Sequence, residues 1–218
     1  MTKSAFILGA GPRVGTSVAN SLTKSGYKVA IGRRSASETS DGTSIKVDLS
    51  STSSITSAFK EVQSMIGVPS VVIYNAASFS KRGPVDDPYS PDVEYLKKDT
   101  EINVFGVYQA LQETTKNWKT ITDDIPKVFI ITGNILPFKP IPGFESLGVG
   151  KSAAAHFIWS SVMNESFRKA GYRFYFATQV TPDGGPVLTG LSGEAHASTY
   201  LKLIEQREQG EWDVRFSA

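Results

Sequence analysis

A doubly wound α/β fold with a parallel sheet is the expectation this sequence raises, and three observations raise it. Short β-branched, apolar runs alternate along the chain with longer stretches whose apolar residues recur at helical spacing. The short runs are continuously apolar rather than alternating, which is the pattern of strands covered on both faces. The first run, "SAFILGA", leads into a glycine turn, "GAGPRVG", at the mouth of the first helical stretch.

The elements follow in order. Strands are expected over 4–10, 27–34 and 43–50, with helices over 14–26, closed by Gly26, and 53–67. The segment 69–77 is a strand ending in small residues, and 90–118 is one long helical region. A strand at 126–134 precedes a helix at 150–171, a strand at 172–180, a helix at 195–209 and a short last strand at 211–216. No repeat, low-complexity tract or linker divides the chain, so residues 1–218 are expected to form one domain.

Composition narrows the function. The 218 residues are 40% hydrophobic and 20% charged, enough to bury one substantial core. Lys plus Arg number 23 against 21 acids, a net +2 that favours neither nucleic acid nor membrane as a partner. With no cysteine, thiolate nucleophiles and disulfides are excluded, and His156 and His196 alone offer no zinc site. No signal sequence, membrane span or carboxyl-terminal targeting tripeptide is recognised, and a cytoplasmic location is the expectation.

Gly9, Gly11 and Gly15, with Val14 at the helix entry, stand between the first strand and the first helix. A pyrophosphate must approach backbone closely there and meet the helix N-terminus, so this turn predicts a dinucleotide site. The second strand ends in "GRRS": Arg33 and Arg34, with no acid before Glu38. A carboxylate at that place holds a ribose 2′-hydroxyl, whereas guanidinium meets a 2′-phosphate. With Arg13 in the glycine turn, placed to approach the same phosphate, the pattern favours NADP(H).

These residues resemble the short-chain dehydrogenase/reductase family over nearly the whole chain. Gly9 and Gly15 match the first and third glycines of its turn, with Arg13 at the second. The aspartate expected against adenine is matched by Asp48, followed by Leu49. The family's Asn-Ala-Gly motif is matched by Asn75, Ala76 and Ala77, and its helical asparagine by Asn103. The resemblance implies a Rossmann-like fold, a nicotinamide cofactor, a small-molecule substrate and a homodimer or homotetramer. It also implies that Lys151 holds the nicotinamide ribose and that Asn103 orders a water beside it.

Two positions depart from the family. The place of its tyrosine, four residues before Lys151, holds Leu147, and no tyrosine occurs between Tyr108 and Tyr172. The place of its serine holds Asn134, with Thr132 the nearest hydroxyl. After the sixth strand, "TPDGGPVLTG" keeps Pro182 of the cofactor-covering motif but inserts Asp183. The covering segment that follows is short, which suggests a pocket left open or completed by a partner chain. The resemblance is therefore to a divergent branch that keeps the lysine and lacks the tyrosine. Lys151, Asn103 and Asn134 are its candidate reaction-site residues. Three chemistries stay open: reduction of a substrate that needs no strong acid, such as an iminium or a conjugated enone; non-redox isomerisation or cyclisation; and cofactor binding without turnover. His156, five residues beyond Lys151, reads as a packing or interface residue. Asp86 and Asp87 read as a solvated turn.

Overall fold

The computed structural model describes residues 3–35, 43–122 and 124–218. Glu38 lies outside the described residues. Seven parallel strands form one sheet in the order β3-β2-β1-β4-β5-β6-β7. They are β1 (Ser4–Leu8), β2 (Lys28–Arg33), β3 (Thr43–Lys46), β4 (Val71–Tyr74), β5 (Lys127–Thr132), β6 (Tyr172–Gln179) and β7 (Asp213–Phe216).

Side chains alternate across the pleat, so one strand feeds two cores. Ala5 and Ile7 of β1 pack with α1 (Val14–Lys24) and α7 (Gly193–Glu205). Phe6 and Leu8 face α2 (Thr52–Ile66), α4 (Val107–Trp118) and α5 (Glu145–Met163). Phe6 meets Phe59 of α2 edge to face at 5.2 Å. Fully burying each such ring contributes about 1.5–3 kcal/mol.

The helical region expected over 90–118 is α3 (Val93–Thr100) and α4, joined without interruption by a π-helical stretch over Glu101–Gly106. The packing there is close. A Cβ on Gly106 would lie 2.5 Å from the Leu49 carbonyl oxygen and 2.6 Å from the Tyr74 hydroxyl. The helix expected from residue 150 begins five residues earlier, at Glu145, and divides at Asn164, whose side chain caps α6 (Glu165–Lys169). Gly148 and Gly150 weaken the local helix signal, yet Gly150 is required by contact: a Cβ there would sit 2.4 Å from that of Asn103. Lys151 is therefore in the second turn of α5 rather than opening it, and Leu147 precedes it by one turn on the same face.

The strand order reverses at β1, whose neighbours are β2 and β4. A crevice opens outside the carboxyl ends of strands at such a switch point. The glycine turn and Asn75 both lie there. Among the described residues no helix is long and apolar enough to cross a membrane.

Candidate active site

Each glycine of the turn answers a different constraint. Gly9 has a φ of +83°, and a Cβ on it would strike Ala76 at 2.5 Å. Gly15 opens α1 against Ala10, whose Cα would be 2.4 Å from an added Cβ. Gly11 has no protein atom within 4 Å of the place its Cβ would take. Nothing among the described residues asks for a glycine there, but Gly11 lines both cavities of the crevice, where an added methyl would occupy ligand space. No side chain caps the N-terminus of α1, and its Thr16 N–H turns back to the Gly11 carbonyl, so the helix dipole is what this end offers an anion.

The outer cavity, about 610 Å³, is walled by Gly9, Arg33, Arg34, Asp48, Leu49 and the stretch from Asn75 to Phe79, with others. Arg33 is half-buried, and its Nε is buried with no hydrogen-bond partner among the described residues. An orphaned guanidinium N–H at this wall is a donor waiting for an acceptor. Asp48 is exposed. Its carboxyl is held below the usual carboxylate range by the Ser50 hydroxyl and the Ser50 N–H, with help from Arg34. Beside this cavity lies another of about 510 Å³, where Lys46 and Lys98 join Arg34 and Asp48. Sequence reasoning missed these two lysines, because only the fold brings α3 beside the end of β3.

The inner cavity, about 420 Å³, holds the other half of the expected set: Gly11, Arg13, Val14, Asn75, Ala77, Asn134, Leu147 and Lys151. The remaining wall is largely apolar, with Ile135, Leu136, Ile141 and Phe144 on one side and Val187, Leu188 and Leu191 on the other. Arg13 thus faces a different cavity from Arg33 and Arg34. Pro182 is exposed and lines neither the inner nor the outer cavity. Its expected place is taken by Gln179 and Pro186, and the segment between β6 and α7 does wall the inner cavity.

Lys151 is buried, and its Nζ donates to the Thr132 carbonyl oxygen at 2.7 Å. Burial pushes its pKa down to about 8. Among the described residues Arg13 is the only other ionisable one on this wall, and no carboxylate, histidine or tyrosine lines it. Asn134 accepts from the Leu136 N–H through Oδ1, which leaves its NH2 as the end a ligand carbonyl would meet.

Behind the wall a network holds these groups in place. Asn103 lines neither of these two cavities. Its amide makes a two-way pair with the Ser78 backbone, at 2.8 and 2.7 Å, and its Cβ carries the contact with Gly150. Asp99 is fully buried, with no ion pair among the described residues. Burial alone would raise its pKa, but donors from Ser78, Ser80 and Ser146 outweigh that and hold it below the ordinary value. Ser146 directly precedes Leu147, so Asp99 ties the loop after β4 to the wall of the inner cavity. Thr132 Oγ1 donates to Asn75 Oδ1 at 2.8 Å, and Asn75 Nδ2 donates to the Gly9 carbonyl at 2.8 Å. The Tyr200 hydroxyl reaches the same Thr132 oxygen at 2.8 Å from α7. Tyr200 is fully buried, which raises its pKa, and it lines neither the inner nor the outer cavity. No sequence signal marked it, because the contact spans 68 residues.

Known proteins resemble this chain in sequence and in fold. The family described as short chain dehydrogenase matches residues 3–168. A protein of Cryptosporiopsis sp. (strain 8999), named short chain dehydrogenase/reductase dmxR12, is 35% identical over 222 residues, covering 95% of this chain and 88% of that one. Two solved structures show the same fold. The NADH-dependent reductase A1-R′ complexed with NAD is 15% identical, with 99% of this chain and 94% of that one covered at a TM-score of 0.82. The 3-ketoacyl-(acyl-carrier-protein) reductase from Brucella melitensis complexed with NADH is 17% identical, with 99% and 96% covered at 0.80.

Proposed function

The chain belongs to the short-chain dehydrogenase family, and from that premise we propose that it is an NADP(H)-dependent oxidoreductase acting on a small, largely apolar substrate without a phenol as proton donor. The observation that carries this reading is the inner wall itself: Leu147, Asn134 and Lys151 share it, and most of the other side chains are aliphatic, with Arg13, Asn75, Thr132 and Gln179 as the polar exceptions. Placing a phenol in such a wall would favour ketones, whereas an apolar wall suits an iminium or a conjugated enone. In those substrates hydride reaches carbon without leaving a full alkoxide to protonate.

When bound, NADP(H) supplies the hydride. The residues present fit it. Gly11 leaves room for a diphosphate at the uncapped start of α1, and Arg13 stands on the same wall as a countercharge. Arg33, with its unpartnered Nε, and Arg34 supply the 2′-phosphate contact, with Lys46 and Lys98 adding positive charge next to them. Asp48 and Leu49 bound the adenine end, and Asn75, Ala76 and Ala77 form the bridge between the two halves. Lys151 holds the nicotinamide ribose, and Asn134 donates to oxygen charge developing on the substrate. Asn103 acts as a positioning residue through Gly150 and Ser78. A cytoplasmic dimer or tetramer completes the reading. The exposed Phe105, Tyr108 and Val149, on and beside the two long helices, support a second copy as the partner.

Leu147→Tyr tests the reaction site. The variant, assayed with NADPH against a panel of enones, imines and ketones, is expected to gain ketone reduction by about a hundredfold or more over the parent, the usual contribution of a placed general acid. A folded, nucleotide-binding variant that reduces no ketone would contradict the placement of Leu147 beside the reacting carbon.

A further inference from the structure

We infer that Lys151 is also an amine nucleophile, forming a reversible Schiff base with apolar aldehydes and ketones that enter the inner cavity. This goes beyond the oxidoreductase reading and does not depend on nucleotide. It rests on what surrounds one atom. The Lys151 side chain is buried beside a largely aliphatic wall, and among the described residues its hydrogen-bond partner is the neutral Thr132 carbonyl. The charged groups near it do not stabilise an ammonium. Arg13, on the same wall, carries the same sign of charge. Asp99, behind the wall, is turned away onto Ser78, Ser80 and Ser146.

The geometry suits a free amine. A neutral Nζ has two N–H bonds and one lone pair. One N–H on the Thr132 oxygen fixes the nitrogen and leaves the lone pair for an incoming carbon. Burial supports this by lowering the pKa to about 8. At about pH 7.5 roughly a quarter of such amines are neutral, against about a thousandth of ordinary lysines. Leu147, one turn before Lys151, contributes to that environment: it fills with hydrocarbon the place where a polar group would solvate the cation.

The step balances without an oxidant or reductant. The lone pair forms a C–N bond to the carbonyl carbon as the C–O π pair moves to oxygen, which takes up a proton. The resulting carbinolamine loses water to give an iminium, and water reverses the sequence. The apolar part of the wall selects carbonyl compounds with hydrocarbon flanks. The NH2 of Asn134 and the Arg13 guanidinium are the donors available to a carbonyl or enolate oxygen.

Acetylacetone is the probe, because its amine adduct is a stable enaminone that absorbs in the near ultraviolet. The nucleotide-free protein is treated with it over a pH series, and each adduct is located by peptide mass mapping. The expected result is labelling of Lys151 at least about tenfold faster than the exposed lysines at about pH 7.5, with a midpoint near pH 8. Lys151→Arg should lose that label. Leu147→Glu, which places a carboxylate one turn away, should slow it about tenfold or more at the same pH. Label spread over surface lysines with Lys151 no faster would overturn the inference, as would a Lys151 midpoint at the ordinary lysine value. If neither variant folds, the wild-type map and pH profile decide alone. A separate NADPH titration keeps the cofactor reading distinguishable: Lys151 labelling without nucleotide binding would sink that reading and leave this one standing.

Discussion

On the outer side of Gly11 the crevice is made of backbone and small residues: a glycine at positive φ, an alanine pressed against it, and strand ends whose side chains reach over the edge. On the inner side it is made of individual side chains, with one buried amine among hydrocarbons. The first half rests on Gly9, Gly11 and Asn75. The second half sets Asn134 and Leu147 beside Lys151. Backbone-built surface tolerates few substitutions, because each added atom meets main chain. A wall of side chains can exchange one residue for another of similar size and keep its shape, while its chemistry changes entirely.

That contrast can be broken most forcefully at the turn. Gly9→Ala should cost about 2–5 kcal/mol in chemical denaturation, combining positive-φ strain with the collision at Ala76. Gly11→Ala should leave stability within about 1 kcal/mol yet weaken nucleotide binding about tenfold or more, because only a ligand contests that space. Equal stability losses for the two variants would remove the distinction between a fold glycine and a ligand glycine.

Next in size is the support behind the inner wall. Asp99→Ala leaves three serine hydroxyls without their acceptor and should cost about 2–4 kcal/mol. Because the Asp99 pKa is lowered in the fold, its contribution is present above the ordinary carboxylate value and fades as pH falls through the folded value. A denaturation series at neutral and acid pH, in wild type and variant, measures both effects.

Smaller, and opposite in sign, is the effect of Lys151 itself. Its folded pKa of about 8 lies below the ordinary 10.5, so between those values the unfolded chain binds the extra proton. The buried amine therefore destabilises the fold at neutral pH, and the cost disappears as pH rises from about 8 towards 10.5. Lys151→Met should stabilise the nucleotide-free protein by about 1–2 kcal/mol at neutral pH, less what the unpaired Thr132 carbonyl costs, and by less near pH 10. A Tm that falls on this substitution at neutral pH would mean the lysine is stabilising as it stands.

The same contrast explains what was legible beforehand. Strands such as Ser4–Leu8 and Tyr172–Gln179 declare themselves by continuous apolar runs, and the glycine turn by its spacing. The start of α5 was hidden because Gly148 and Gly150 lower helix propensity while one of them serves a contact with Asn103 that no local pattern encodes. Asn103 itself was legible as a marked position but not as a residue behind the wall. Lys46, Lys98 and Tyr200 act across long sequence separations, and Arg13 parts company with Arg33 and Arg34 only once the turn takes its shape. Local geometry reads from local sequence; the composition of a cavity does not.

The most direct test of the account is a side-by-side calorimetric titration of the protein with NADPH and NADH, repeated on Arg33→Asp. The account predicts binding of both, with NADPH tighter by about tenfold or more, and a variant that loses NADPH affinity while keeping that for NADH. Equal affinities in the wild type, or equal losses in the variant, would contradict the assignment of Arg33 to a 2′-phosphate.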